Sequence, residues 1–344
     1  MHLLVIRFSA MGDVALTVPV LRGVLKQNPD IDIEMVSNIA FEAMFHDIDR
    51  LTFRGVDLSN YSGFGGLFKL YRELKALGPW DAIIDLHSVM RTWVLGSLFK
   101  ASGVPVFKVD KGRKEKKALI RQKNRVFEPL KHTTERYLDV FNAFGISGEV
   151  ISRDVLHVDD EAQSNWQHFL HENGISKDKK WLGLAPYSKH KQKTWPFSKV
   201  NSLIEELGKS GEYQVFLLGG GNEVEDLQNL ATLYPHCLNM AGVLSLDQEI
   251  ALMHQLDVVV AMDSFNMHLA ALCDTKVISI WGGTHSYAGF GPLNGNDQFI
   301  VQVDHGELDC RPCSVFGSKP CHRGDWACLN RIEVHSVAEA IDSE

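Results

Sequence analysis

Nowhere does the chain hold the roughly 18 to 20 uninterrupted apolar residues that a membrane-spanning helix requires. Its opening, MHLLVIRFSAMGD, also lacks the basic start and longer apolar stretch of a secretory signal. That opening reads instead as a buried strand, and the cytoplasm is the expected location. Excess positive charge is missing too: 35 Lys and Arg stand against 43 Asp and Glu, so no global field gathers nucleic acid. No G-x-G-x-x-G fingerprint follows the first strand, which disfavours a dinucleotide-dependent dehydrogenase. A carboxylate pair placed for Mg²⁺ or Mn²⁺ is likewise hard to find. The two Asp-Ile-Asp runs, 30–32 and 47–49, read as surface features of an edge strand and a helix–loop context.

What remains is a globular composition, 45% hydrophobic and 23% charged, so disorder is expected only in short loops. At 344 residues the chain exceeds one ordinary core, so two domains are expected, with a boundary near 158–159. Strands and helices alternate almost throughout. LLVIRF (3–8), IDIEMVS (31–37), AIIDLHS (82–88) and VPVFKVD (104–110) read as strands of the first half, with polar residues gathering at the end of the third. Pro19 either opens or kinks the first long helix, and Gly78-Pro79 stops another. WLGLAPY (181–187), YQVFLLGGG (213–221), DVVVAMDS (257–264) and KVISIWGG (276–283) repeat the pattern, and HSVAEAIDS (335–343) is a terminal helix. Sequential βα units with short loops imply parallel sheets and right-handed crossovers.

Ligands of such sheets bind where strands end and helices begin. Five places qualify. Gly12-Asp13 follows the first strand: Gly12 permits a tight turn, and Asp13 is either a helix cap or a general base. Lys193, in KTWP, can neutralise a diphosphate with Ser188 and Lys189, or lie on a solvated basic loop. Gly219-Gly220-Gly221, followed by Asn222-Glu223, lets backbone approach a phosphate or ribose. Asp263, Ser264 and His268 offer a strand-end acid, a hydroxyl and a first-turn histidine for sugar and phosphate oxygens, or simply another cap. The loop Gly282-Gly283-Thr284-His285 carries the weakest signal of the five; its backbone can line the same pocket.

Taken in order, these places resemble glycosyltransferase family 9, the ADP-heptose:lipopolysaccharide heptosyltransferases. LLVIRFSAMGDVALTVPVLRGV, RYLDVFNAFGI, KTWP, LLGGGNE and AMDSFNMHLAALCDTKVISIWGG, followed by Gly289-Phe290-Gly291-Pro292, carry the likeness over essentially the whole chain. The resemblance implies an α/β GT-B fold, two Rossmann-like domains with parallel sheets facing across a cleft. It places an acceptor-binding domain at 1–158, a nucleotide-sugar domain at 159–330 and a C-terminal helix at 331–344. It also implies single-step inverting transfer without a catalytic metal or cofactor. The donor would be a nucleotide sugar such as ADP-heptose, and the acceptor an anionic glycolipid hydroxyl at the inner membrane surface. Asp13 matches the family's base and Lys193 its diphosphate lysine. Gly12, Ser188, Glu223, Leu244, Asp263, Ser264, Phe265 and His268 match substrate-binding positions. The chain departs from the family where it has Ser264-Phe265 instead of Thr-Gly, and Tyr187-Ser188-Lys189 instead of consecutive hydroxyl residues; the bulk of Phe265 leaves the donor sugar open.

Two further features have two readings each. The stretch from Lys108 to Arg136 holds eleven Lys and Arg against four Asp and Glu, and is either a solvated face or a docking patch for anionic lipid. Cys310, Cys313, Cys321 and Cys328, with His305 and His322 nearby, have spacing that permits zinc but also suits reduced thiols or a redox-dependent bridge; Cys237 and Cys273 read as buried thiols. The rival functions are a nucleotide-sugar 2-epimerase, which needs no acceptor, and a catalytically idle sugar-nucleotide-binding or scaffold protein.

Overall fold

The computed structural model describes residues 1–343, and in it the chain divides into two compact units. The first unit takes Met1–Arg113 and Lys131–His157; the second takes Lys114–Leu130 and the chain from Val158 onward. Glu344, the last residue of the expected terminal segment, lies outside the described residues.

In the first unit β1 (His2–Ile6) leads through α1 (Met11–Ala15) and α2 (Val18–Gln27) to β2 (Asp32–Asn38) and β3 (Leu51–Val56). Pro19 sits in the opening turn of α2, where the missing N–H breaks no helical bond. There follow α3 (Gly63–Ala76), β4 (Ala82–Asp85), α4 (Met90–Ala101), β5 (Val106–Lys108) and α6 (Thr133–Phe144); α5 (Arg113–Leu119) lies between β5 and α6 and from Lys114 onward belongs to the second unit. All pairings are parallel, in the order β3-β2-β1-β4-β5. Leu3, Leu4, Val5 and Ile6 are at most 1% exposed, as a central strand covered on both faces demands. The Asp-Ile-Asp run at 30–32 was expected at an edge strand. It leads into β2, an interior strand, because β3 pairs beyond it and forms the edge.

The second unit proper begins with α7 (Asp160–Glu172), β6 (Lys180–Ala185), α8 (Phe197–Ser210), β7 (Tyr213–Leu217), α9 (Val224–Leu233) and β8 (Cys237–Asn239). It continues through α10 (Leu246–Met253), β9 (Val258–Met262), α11 (Phe265–Leu272), β10 (Val277–Trp281) and β11 (Ile300–Gln302) to the short α12 (Ala327–Asn330) and α13 (Val334–Asp342). Its parallel sheet runs β11-β10-β9-β6-β7-β8. β9 is buried along its whole length, and Leu182, Leu203, Val260 and Ile278 belong to the core that α8 and α13 cover. Each sheet therefore reverses its strand order at one place, between β1 and β4 and between β6 and β9. Open α/β sheets bind ligands at such reversals, beyond the carboxyl ends of the strands.

Residues 114–130, inside the basic stretch, pack within the second unit. The Lys116 ammonium lies 3.9 Å from the Phe290 ring centroid, and Lys116 is buried, so it is no part of a solvated face. Arg125 donates from Nη1 to the carbonyls of Asp309 (2.6 Å) and Arg311 (2.5 Å). Phe127 stacks on His305 at 3.9 Å between ring centroids, and Leu130 N–H donates to Tyr287 O at 2.9 Å. Lys114, Lys117, Arg121 and Lys123 remain exposed.

Candidate active site

In the first unit, Asp13 is not the helix cap. The cap position of α1 is Ala10, and Asp13 lies in the first turn. Its Oδ2 sits 2.6 Å from Nη2 of Arg7, whose side chain is 6% exposed against 27% for Asp13. Arg7 leaves the end of β1, donates from Nη1 to Leu86 O at 2.7 Å and lies over the buried Tyr137 ring. Tyr137 O–H donates to the main-chain carbonyl of Asp13 at 3.2 Å. Gly12 is in the same helical turn and has no left-handed backbone angle, so the turn expected there is made before it.

Beside β1, the end of β4 brings more charge. Asp85 is buried and accepts N–H bonds from His87 (2.9 Å) and Ser88 (2.8 Å); burial still pushes its pKa up. His87 is pushed down to about 3, first by burial and then by Arg7, Lys111 and Arg91. Its Nδ1 is buried without a hydrogen-bond partner among the described residues. The pKa of Lys111 is lowered by burial, then by Arg7 and Arg113, with Asp13 and Asp85 acting against them. Four cations thus crowd two carboxylates and a neutral imidazole at this end of the sheet, which favours an anionic ligand.

In the second unit, the loop after β6 carries Lys193. Lys189 and Lys191 are exposed there, but Lys193 is not solvated. Lys193 Nζ lies 2.9 Å from Asp263 Oδ2, with side chains 15% and 7% exposed, and donates to Asp263 O at 3.2 Å. Ser188 Oγ donates to that same carbonyl at 3.3 Å. The carbon stem of Lys193 packs on Gly317, whose φ is +76° and where an added Cβ would lie 2.8 Å from Lys193 Cγ.

Asp263 closes β9, and its carboxylate caps no helix: Thr284 Oγ1 donates to Oδ2 at 2.8 Å. Ser264 occupies the cap position of α11 without a side-chain cap bond, and its buried Oγ has no partner among the described residues. Phe265 begins α11, and His268 is buried in the same helix. An unpartnered buried hydroxyl at a helix N-terminus is suited to a ligand oxygen. Glu223 binds its own turn, accepting Gly220 N–H at 2.7 Å. Of the three glycines before it, Gly219 is the one packing demands: a Cβ there would meet Leu227 at 2.6 Å and Glu223 at 2.8 Å. Leu244 is partly buried just before Ser245, the cap of α10.

The loop with the weakest sequence signal proves central. A Cβ on Gly282 would lie 2.5 Å from the Gln192 carbonyl, and Gly283 N–H donates to that carbonyl at 2.9 Å, beside Lys193. Thr284 is fully buried. Arg311, 1% exposed, donates to the carbonyls of Gly282 (3.0 Å), Thr284 (3.1 Å), Trp281 (3.3 Å) and Val303 (2.6 Å), and to Gln302 Oε1 (2.8 Å). Neither Arg7 nor Arg311 stood out in the sequence: Leu86 lies 79 positions from Arg7, and Thr284 lies 27 from Arg311.

The six cysteines are free thiols. Among the described residues no three of Cys310, Cys313, Cys321 and Cys328 bring their sulphurs within 4.8 Å of one another. Burial pushes the Cys310 and Cys313 thiols up, and Cys328 up to about 12, which favours the protonated form.

Residues 67–316 match the model of glycosyltransferase family 9 (heptosyltransferase). Along 99% of the chain, and 98% of the relative, the sequence is 22% identical to lipopolysaccharide heptosyltransferase 1 of Campylobacter coli. The fold is similar to a family 9 glycosyl transferase from Veillonella parvula, with a TM-score of 0.77 at 18% identity over 98% of this chain and 95% of that one. It is also similar to the ADP-heptose lipopolysaccharide heptosyltransferase II of Escherichia coli, with a TM-score of 0.70 at 17% identity over 99% and 98% of the two chains. The fold class is accordingly GT-B, α/β with two parallel sheets.

Proposed function

This chain belongs to glycosyltransferase family 9, and on that premise we propose that it transfers heptose from ADP-heptose to a hydroxyl of a lipopolysaccharide core acceptor. The observation that carries this reading is positional. In each sheet the residues matching the family's functional positions gather where the strand order reverses: Asp13 after β1, Lys193 after β6 and Asp263 after β9.

In this reading the first unit holds the acceptor. A sugar hydroxyl is far less acidic than a carboxylic acid, so Asp13 accepts its proton only as the new glycosidic bond forms. Arg7 holds that carboxylate in place. Lys111 and Arg91 supply positive charge for acidic groups of the acceptor, and Met90 (77% exposed) and Trp93 (44%) add an apolar surface beside them. The second unit holds the donor. Lys193, Ser264 and the N–H groups opening α11 bind the diphosphate, which leaves with developing negative charge, and Asp263 and His268 bind the sugar side. Glu223 and Leu244 serve the nucleoside. The oxygen of the acceptor displaces ADP at the anomeric carbon in one inverting step, and the positive charge that stabilises ADP comes from Lys193. Work on the cytoplasmic face of the inner membrane follows from the acceptor, with Lys114, Lys117, Arg121 and Lys123 meeting anionic headgroups.

The test is a thermal-shift panel of nucleotide sugars. A ligand that binds only the folded state raises the melting temperature by mass action. ADP-heptose is expected to give the largest rise. A panel in which a uridine sugar stabilises the protein and ADP-heptose does not would overturn the donor.

A further inference from the structure

The hydroxyl of Thr284 and the guanidinium of Arg311 belong to no donor-binding position considered so far, yet together they end on the Lys193–Asp263 pair. Lys193 Nζ (2.9 Å) and Thr284 Oγ1 (2.8 Å) share one carboxylate oxygen, Oδ2 of Asp263. Each donor dilutes the negative charge that the other sees. Lys193 has a second acceptor in the Asp263 carbonyl at 3.2 Å, so both bonds it makes among the described residues go to one residue, and an ammonium has three hydrogens. The third is available to a ligand. An aspartate this deeply buried would grip a lone ammonium tightly, since charge pairs strengthen as water is excluded.

Thr284 can moderate that grip only if its backbone is fixed, and Arg311 fixes it. Five acceptors take the Arg311 guanidinium, three of them carbonyls of the 281–284 loop. The loop cannot drift toward Lys193 on the other side, because Gly282 and Gly283 already touch the backbone and side chain of Gln192. Arg125 and Phe127 in turn brace the segment around Arg311 by way of its carbonyl and His305.

We propose that Thr284 is a positioning residue, locked by Arg311, that keeps Asp263 from capturing Lys193 and so leaves the ammonium free to bind the donor's diphosphate. This rests on the donor-binding reading of Lys193 given above. Without the Thr284 hydroxyl, Lys193 is the one side-chain partner left to Oδ2 among the described residues, and the ammonium is drawn away from the ligand.

The experiment measures ADP and AMP binding by calorimetry to the wild type, Thr284→Val, Thr284→Ser and Lys193→Ala, with melting temperatures alongside. A hydrogen bond to a charged group supports an effect of about tenfold. Thr284→Val is nearly isosteric, and its ADP affinity is expected to fall about tenfold while AMP binding stays within about twofold. Thr284→Ser, which restores the hydroxyl, is expected to recover most of the loss. A merely structural threonine would not separate ADP from AMP. Equal loss of both nucleotides, unchanged ADP affinity, or no recovery in Thr284→Ser each overturns the proposal. So does a Thr284→Val protein that fails to fold while Thr284→Ser folds, because the hydroxyl is then a folding element. Failure of the underlying reading looks different: the wild type binds ADP no more tightly than Lys193→Ala does.

Discussion

Replacing Asp13 by Asn separates catalysis from architecture. The amide keeps an oxygen for Arg7 and removes the base. Loss of a general base lowers turnover by about 10²- to 10⁴-fold. The stability change can be bracketed from the surroundings. Breaking a fully buried pair costs about 3–5 kcal/mol, and an exposed pair is worth about 0–1 kcal/mol. Asp13 lies between these limits at 27% side-chain exposure, while Arg7 keeps the Leu86 carbonyl at 2.7 Å and the Tyr137 ring. A cost of about 1–2 kcal/mol follows, which lowers the melting temperature by about 2–8 °C for units of this size. The residues proposed to bind the diphosphate belong to the other unit, so ADP affinity is expected to stay within about twofold. The assay follows ADP release from ADP-heptose with and without a truncated lipopolysaccharide core, beside calorimetric ADP titration and a melting curve. Turnover within about tenfold of wild type would refute the assignment of the base, whatever the melting curve shows.

Three further outcomes are expected. His87 has its pKa held down to about 3 against an ordinary 6.5, so the unfolded chain takes up a proton that the folded one refuses. Stability present above pH 6.5 is lost as the pH falls toward 3, by up to about 1.4 kcal/mol per pH unit, and His87→Gln should flatten the drop in urea midpoint between pH 7 and pH 5. Glu249 shows the opposite sign: burial raises its pKa to about 7 from 4.5, so its protonated form favours the fold and stability is lost as the pH climbs through that range. Glu249→Gln should therefore stabilise at pH 8 by about 1–3 kcal/mol and have little effect at pH 5, as denaturant titrations at the two pH values would record. Finally, each basic residue near an anionic leaflet is worth about 1 kcal/mol, so reversing Lys114, Lys117 and Lys123 together should weaken vesicle binding by about a hundredfold or more in a sedimentation assay. Lys116→Met is the control: it should lower the melting temperature by removing the contact with Phe290 and leave vesicle binding alone.

Much of this fold is legible in residue order, for a physical reason. Strands buried on both faces, such as β1 and β9, are unbroken apolar runs, and each ends in a polar cluster that marks a ligand-binding end. β3 escapes the same reading because LTFRGV, an edge strand, alternates with an arginine and a glycine. β8 and β11 are three residues each, too short to show a period. α7 is hidden by its polar face: Trp166 and Leu170 are its inward anchors, and its start looks like a linker. At the site, Asp13, Lys193 and Asp263 can be found because each follows a strand. Thr284 enters only as part of a loop whose backbone can line the pocket; the role of its hydroxyl and that of Arg311 are not legible, since the bond from Thr284 spans 21 positions and that from Arg311 to Thr284 spans 27. Alternatives left open by spacing were closed by partners: Asp13 pairs with Arg7 instead of capping α1, and Lys193 is ion-paired instead of solvated.

The path of residues 114–130 has a consequence for how this protein is made and dissected. Phe127 emerges from the ribosome well before His305, the ring it stacks upon. Until the chain as far as His305 has been synthesised, that aromatic lacks its native seat, and the nascent polypeptide carries it as a sticky loop. A gene cut at codon 158 would repeat the problem permanently. The leading fragment would keep an orphan segment, the trailing one would lack its plug, and neither would be a faithful stand-in for the half it was meant to represent.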